Sequence, residues 1–370
     1  MRIAFYAPMK APTHRVPSGD RTVARLYVSA LESLGHEVFL ASTLRSHDKG
    51  ARDQQLRLAN RGAAEAQRLV ETMRVDPPDL WFTYHLYHKA PDHLGPRVAD
   101  ALGLPYIVAE PSLAPKQQRG PWAQGYAHSL AALARADMLL PMTRDDADGL
   151  AAAGIPAGRI MPIAPFLDIT PYRRARPAAR RHIAERFGLD PEQPIAVTVA
   201  MMRSGDKLSS YRVLAQALKL LDDATLQLLV VGDGPCRAEV EALLARHACF
   251  AGKLAARSLP AVLAGCDLCL WPAVNEAYGM ALLGAQAAGL PVVAGHTRGV
   301  PEIVANGRTG LLAPVGDAAA FAEAITSLLD DPRRRMAMAV AAADQAAERH
   351  SLDATRLTLD RAITQARHAR

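Results

Sequence analysis

Short apolar runs alternate along this chain with longer segments whose apolar residues return every three or four positions. That is the pattern of buried strands joined by amphipathic helices. Ile3 to Ala7 reads as a strand, Arg21 to Leu34 as a helix, and Gly35-His36-Glu37 as the turn into a strand ending at Leu40. Leu80 to His85, Tyr106 to Ala109 and Met138 to Pro141 read as further strands. Residues 51–74 carry Leu56, Ala59, Ala63, Ala66, Val70 and Met73 at helical spacing, with an Arg-rich outer face. This predicts a helix covering the sheet in preference to one lying on a membrane. The repeated strand–helix alternation predicts a parallel sheet covered on both faces.

An Arg- and Pro-rich stretch from Pro165 to Pro194 interrupts the pattern, with Arg173, Arg174, Arg176, Arg180 and Arg181 and a short helix near 178–187. The alternation then restarts. Strands are predicted at 195–200, 226–231, 268–271 and 291–294, and helices near 209–221, 236–247, 258–264, 280–288 and 318–330. The expected fold class is therefore α/β, with two Rossmann-like, doubly wound parallel-sheet domains. Residues 1–168 form the first and 169–345 the second, and 346–370 form a C-terminal helix able to pack back on the first. Two such domains facing a central cleft place ligands at the carboxyl ends of the strands.

Composition adds limits. The chain has 370 residues, half of them apolar and 22% charged, more than one core usually serves. No apolar run reaches the ~18 residues of a membrane helix. The opening Met1-Arg2-Ile3-Ala4-Phe5 is too short and too soon interrupted for a signal peptide, so a cytoplasmic protein is expected, with peripheral membrane association left open. A net charge of +6 suits an anionic substrate or a membrane face, and no nucleic-acid-reading motif accompanies it. Cys266 and Cys269 have CxxC spacing, but they sit in a strand-like apolar run with no second pair, which reads as buried reduced thiols.

The candidate chemistry lies at strand ends. The strand at 195–200 runs into Met201-Met202-Arg203-Ser204-Gly205-Asp206-Lys207, where Arg203 and Lys207 can hold a diphosphate, one as a planar fork and the other as a mobile point charge. Val231-Gly232-Asp233-Gly234-Pro235 is a second strand-to-helix turn, equally readable as an ordinary βα connection. Glu276 precedes a helix starting near Met280. The amides of Tyr278, Gly279, Met280 and Ala281 at that start form an anion site, and Glu276 can accept bonds from sugar hydroxyls or simply favour the helix dipole. Asp146-Ala147-Asp148 has DxD spacing but lies in a polar helical stretch, so no metal site is expected.

Taken in order, these motifs resemble the retaining family 4 glycosyltransferases of glycosyl transferases group 1. They are Arg203-x-x-x-Lys207, Gly232-Asp233-Gly234-Pro235, Asp267, Asn275-Glu276-Ala277-Tyr278-Gly279-Met280, Gly289-Leu290-Pro291, Gly299-Val300-Pro301-Glu302 and Thr309-Gly310-Leu311-Leu312. The match covers nearly all of 195–330. In the first half it is looser, resting on Ser18-Gly19 before the first helix and Gly35-His36-Glu37-Val38 after it.

The resemblance implies a GT-B fold and metal-independent, retaining transfer from a nucleotide-diphosphate sugar, most commonly a UDP-sugar, with no cofactor. The acceptor would be a small molecule, saccharide or lipid-linked group. It assigns Arg203 and Lys207 to the diphosphate and Glu276 to the donor sugar. Gly232, Gly234, Ala277, Tyr278, Gly279, Met280 and Ala281 go to donor binding. Ser18, Gly19, His85 and Glu110 fall on the acceptor side, where Glu110 stands at a strand end at which relatives often carry His. The family has a second glutamate eight positions after the first, facing the nucleotide ribose, and here that position is Gly284. Losing such an acceptor costs roughly 1.5–3 kcal/mol, and Gly inside a helix costs about 1 kcal/mol against Ala. Either the donor differs, or another group replaces the carboxylate, or the chain carries a substitution there. The rival readings are a degenerate protein that binds nucleotide sugar without transfer, and a GT-B epimerase or phosphorylase.

Overall fold

A computed structural model describes residues 1–16, 18–174, 179–221, 226–244 and 247–369. Arg176, the start of the helix expected at 178–187, and residues 245–246 of the helix expected at 236–247 lie outside the described residues. The chain divides into two units, Met1–Ala164 with Leu352–Arg370, and Pro165–Ser351.

The first unit runs β1 (Arg2–Tyr6), α1 (Gly19–Ser33), β2 (Glu37–Ser42), α2 (Arg52–Met73), β3 (Leu80–Leu86), α3 (Gly95–Leu102), β4 (Tyr106–Pro111), α4 (Ala123–Arg135), β5 (Met138–Leu140) and α5 (Arg144–Ala152). The second runs α6 (Thr170–Arg174), α7 (Ala179–Phe187), β6 (Ile195–Val199), α8 (Asp206–Leu218), β7 (Gln227–Val231), α9 (Arg237–Leu244), β8 (Ala248–Gly252), α10 (Leu259–Ala264), β9 (Leu268–Trp271), α11 (Met280–Ala287), β10 (Val292–Gly295), α12 (Val300–Ile303), β11 (Gly310–Ala313), α13 (Ala318–Leu329) and α14 (Pro332–Arg349). A last helix, α15 (Leu352–His368), returns to the first unit and packs on α1, β4 and β5.

Both sheets are parallel throughout, as the alternation predicts, with strand order β2-β1-β3-β4-β5 in the first and β11-β10-β9-β6-β7-β8 in the second. The inner strands are buried on both faces: Ile3, Ala4, Phe5 and Tyr6 of β1 are inaccessible, as are Val292, Val293 and Ala294 of β10. The order reverses between β1 and β3 in one sheet and between β6 and β9 in the other. At such switch points adjacent loops diverge and open a crevice at the strands' carboxyl ends.

Buried polar groups tie the layers. In the first unit Asp92 accepts from Thr83, from the Tyr106 hydroxyl at 2.7 Å, and from the amides of Leu94 and Gly95 at 2.8 Å each, linking β3, β4 and the start of α3. In the second, Leu167 and Ser351 form a bridge, and His350 Nδ1 meets the Pro165 carbonyl at 2.6 Å.

Several expectations need correction. Helix α2 forms, but its inward face is Gln55, Leu58, Gly62, Ala66, Leu69 and Met73, whereas Leu56 is 45% exposed. Small Gly62 and polar Gln55 hide this face from an apolar count. Gln55 is buried because it bonds Asp48 and the Pro121 carbonyl, and Gly62 because His93 packs where a Cβ would stand. Strands β8 and β11 and helices α3, α4, α6, α12 and α14 have no counterpart in the sequence pattern read above. β8 is only partly buried along its whole length and β11 at its two central residues, so neither is the fully buried strand that a continuous apolar run signals. Cys266 and Cys269 are free thiols, with Cys269 buried and Cys266 donating to the Val262 carbonyl. Among the described residues no helix is long and apolar enough to cross a membrane.

Candidate functional site

In the second unit the crevice lies where β6 and β9 diverge. The chain leaving β6 is pinned to the next βα turn: Met202 N donates to the Asp233 carbonyl at 3.0 Å and Cys236 N to the Met202 carbonyl at 2.9 Å. Here Gly232 (φ +153°) and Gly234 (φ +158°) are needed, because the carbonyls of Ala200 and Met202 stand where their Cβ atoms would be. The two glycines thus serve the approach of two loops.

Helix α8 then begins with Asp206 and Lys207. The loop after β9 is fastened to it, with Asn275 Nδ2 donating to Asp206 Oδ2 at 2.9 Å and Val274 N to Ser210 Oγ at 3.1 Å. This brings Lys207 and Glu276, 69 positions apart, into a direct ion pair with each side chain only about one-fifth exposed. Trp271, the last residue of β9, serves both. Its Nε1 donates to Glu276 Oε2 at 3.1 Å, and its ring lies 5.1 Å from Lys207 Nζ. Arg203 is exposed, ahead of α8 and outside this pair.

Gly279 caps α11 in the left-handed region (φ +87°), which turns the chain sharply from Glu276 into the helix. The first-turn amides, including those of Met280 and Ala281, have no partner within the helix. Ala277 accepts from Gly299 N at 2.8 Å, and Tyr278 is buried. Gly284 is buried one turn on, and a Cβ there would meet the Tyr172 hydroxyl at 3.1 Å. Tyr172 of α6 thus fills the space into which a side chain at 284 would grow.

In the first unit the corresponding crevice lies where β1 and β3 diverge. His85 and Glu110, at the ends of β3 and β4, both have left-handed backbones (φ +61° and +51°). Such conformations in non-glycine residues cost about 1–3 kcal/mol and cluster at functional sites. His85 Nδ1 meets Asp20 Oδ1 at 3.0 Å, and its ring stacks on Tyr87 with centroids 4.9 Å apart. Burial works against the imidazolium, but the charge of Glu110, the hydrogen bond and charge of Asp20, and the more distant Asp146 outweigh it, raising His85 to about 9. Burial likewise opposes the Asp20 carboxylate, and the bond to His85 overcomes it and holds the group below its usual range. Ser18 caps α1 by accepting from Arg21 N at 3.2 Å, while the space beside Gly19 is open.

Lys207 is thereby joined to Glu276, and His85 and Glu110 share one crevice, while Arg203 stands outside the pair and Gly284 is covered. Sequence reasoning missed Asp20, Trp271 and Tyr172. Asp20 directly follows Ser18-Gly19, and Trp271 ends an apolar strand five residues before Glu276, so both lay beside motifs already marked. Tyr172 sits in the Arg-rich stretch and carries no local signal. Asp146 is engaged with Thr143 at the start of α5, and among the described residues no group of three or more His, Cys, Asp or Glu is placed to hold a metal ion.

Residues 193–331, which contain Arg203, Lys207, Trp271, Glu276 and Gly284, match the family described as glycosyl transferases group 1. The chain is similar to the 2-deoxystreptamine glucosyltransferase of Streptomyces kanamyceticus, 33% identical over 208 residues, covering 54% of this chain and 53% of that protein. The alpha-D-kanosaminyltransferase of the same organism is 29% identical over 239 residues, covering 63% and 60%. A GDP-mannose-dependent phosphatidylinositol monomannoside mannosyltransferase of Mycolicibacterium smegmatis is 31% identical over 220 residues, covering 56% of each. The chain thus spans roughly half to three-fifths of the length of these relatives. Among solved structures, Anabaena HepE in complex with UDP superposes with a TM-score of 0.75 at 18% identity, covering 98% of this chain and 100% of that one. Sucrose-phosphate synthase from Thermosynechococcus elongatus does so with 0.75 at 20% identity, over all of both chains. The fold of this chain is that of the GT-B class.

Proposed function

We propose that the chain is a glycosyltransferase that takes a sugar from a nucleotide-diphosphate donor and delivers it, with retention of anomeric configuration, to a hydroxyl or other nucleophile. The observation that carries this reading is the Lys207–Glu276 pair at the β6/β9 switch point, beside the start of α11 and inside the family-matched segment. A cation for a leaving diphosphate and a carboxylate for sugar hydroxyls stand together there.

In the proposed reaction the bond between the anomeric carbon and the diphosphate breaks as the acceptor approaches from the same face. Lys207, Arg203 and the first amides of α11 stabilise the charge that develops on the leaving phosphate. A phosphate oxygen takes the acceptor's proton. Side chains supply the cations, so the reaction is proposed to run without metal or other cofactor. UDP-sugars are the proposed donors, which the HepE complexes with UDP and UDP-glucose support by analogy of fold. Ser18, Gly19, His85 and Glu110 are proposed to face the acceptor, a small molecule, saccharide or lipid-linked group. A cytoplasmic protein with peripheral membrane contact fits that assignment.

A thermal-shift screen of UDP, GDP, ADP and their sugars, followed by mass analysis of products, tests the reading. A chain that binds none of them refutes it. The covered position at Gly284 favours a second reading, binding without transfer, which donor binding with no turnover would establish.

A further inference from the structure

We propose that Trp271 is a positioning residue of the donor site: its indole N–H holds the Glu276 carboxylate while Lys207 exchanges between that carboxylate and the donor's diphosphate. The inference rests on the donor-site reading above. Trp271 is 4% exposed, so its N–H needs a partner inside the protein, and Glu276 Oε2 provides it at 3.1 Å. The indole is itself held. Tyr211 meets it edge-on, with centroids 5.1 Å apart, and Tyr211 is buried and anchored by its hydroxyl to the Ala200 carbonyl at 3.0 Å. One rigid ring therefore directs its edge to the carboxylate and its face to the ammonium.

Glu276 Oε2 thus receives two donors, one from Trp271 and one from Lys207. An arriving diphosphate carries more negative charge than one carboxylate and draws Lys207 toward itself. A carboxylate left with no donor would swing. The indole N–H keeps Oε2 in place and leaves Oε1 for a sugar hydroxyl. Trp271 therefore acts on recognition of the sugar, and Lys207 on recognition of the phosphates.

Trp271→Phe keeps the aromatic face and the Tyr211 contact and removes only the N–H. Calorimetry would compare UDP with UDP-glucose, and GDP with GDP-mannose, on the wild type, Trp271→Phe, Glu276→Gln and the double variant. The Phe variant is expected to bind UDP and GDP within about twofold of wild type and the matching sugar nucleotide about tenfold more weakly, the scale of one hydrogen bond to a charged group. That loss is expected to vanish in the Glu276→Gln background. Equal weakening of both members of a pair, no weakening, or full additivity in the double variant overturns the proposal. A wild type that binds neither these four probes nor ADP and its sugars overturns the donor-site reading itself, and this inference with it. The Trp271 indole 15N–1H signal of the unsubstituted chain gives a further check: it is expected to move when UDP draws Lys207 away. A signal indifferent to UDP overturns the proposal.

Discussion

At the scale of single residues, Gly284 shows a side chain excluded by its neighbour. With Tyr172 seated over it, Gly284→Glu must displace the tyrosine or distort α11. The expected outcome is a loss of about 1–3 kcal/mol in denaturant unfolding, as in other overpacked sites. No gain in UDP-sugar affinity is expected, contrary to what a restored carboxylate promises from the sequence alone. Gly284→Ala is a milder probe. The Tyr172 hydroxyl at 3.1 Å must give by a few tenths of an ångström, against a helix-propensity gain of about 1 kcal/mol, so near-neutral stability is expected. The cations proposed to hold the diphosphate make a second case. Lys207→Ala and Arg203→Ala are each expected to cut transfer by about 100-fold or more, with circular dichroism unchanged. Normal turnover in both would remove these side chains from the proposed reaction.

At the scale of elements, strand ends set the charges. His85 and Asp20 come from β3 and α1 and form a pair that burial opposes and neighbouring carboxylates sustain. The groups acting on His85 are Asp20 from α1, Glu110 from β4 and Asp146 from α5. Its pKa lies above the unfolded value near 6.5, at about 9. Its contribution to stability is therefore full below about pH 6.5 and lost as pH rises through 9, on the order of 3 kcal/mol. Unfolding free energies measured from pH 6 to 10 are expected to fall over that window in the wild type and to flatten in His85→Gln. Asp92 is the element-scale counterpart in the core. Asp92→Asn keeps the size but loses the charged acceptor for Thr83, Tyr106 and two amides, and is expected to destabilise by about 2–4 kcal/mol in urea.

At the scale of the whole molecule, the βα alternation carries the fold and the order of the strands carries the sites. Both switch points fall beside marked residues, His85 at one and Lys207 with Glu276 at the other. Because Arg203 and Lys207 supply the proposed phosphate cations, EDTA is expected to leave transfer unchanged. Loss restored by Mg²⁺ would show that side chains alone do not suffice.

What the sequence by itself determined follows from local physics. Period-2 and period-3.6 patterns, turn residues and the spacing of Arg203, Lys207 and Glu276 are properties of neighbouring positions, so two parallel-sheet domains and the second-unit motif were legible. The inward face of α2 was not, because Gln55 and Gly62 are buried through distant partners, Pro121 and His93. Contacts between segments far apart in the chain were decided only by the tertiary structure. It closed Lys207 onto Glu276 over 69 positions, brought Asp20 to His85 over 65, and laid Tyr172 on Gly284. A side chain's chemistry is written in the sequence, but the partner that tunes it depends on which strands lie side by side.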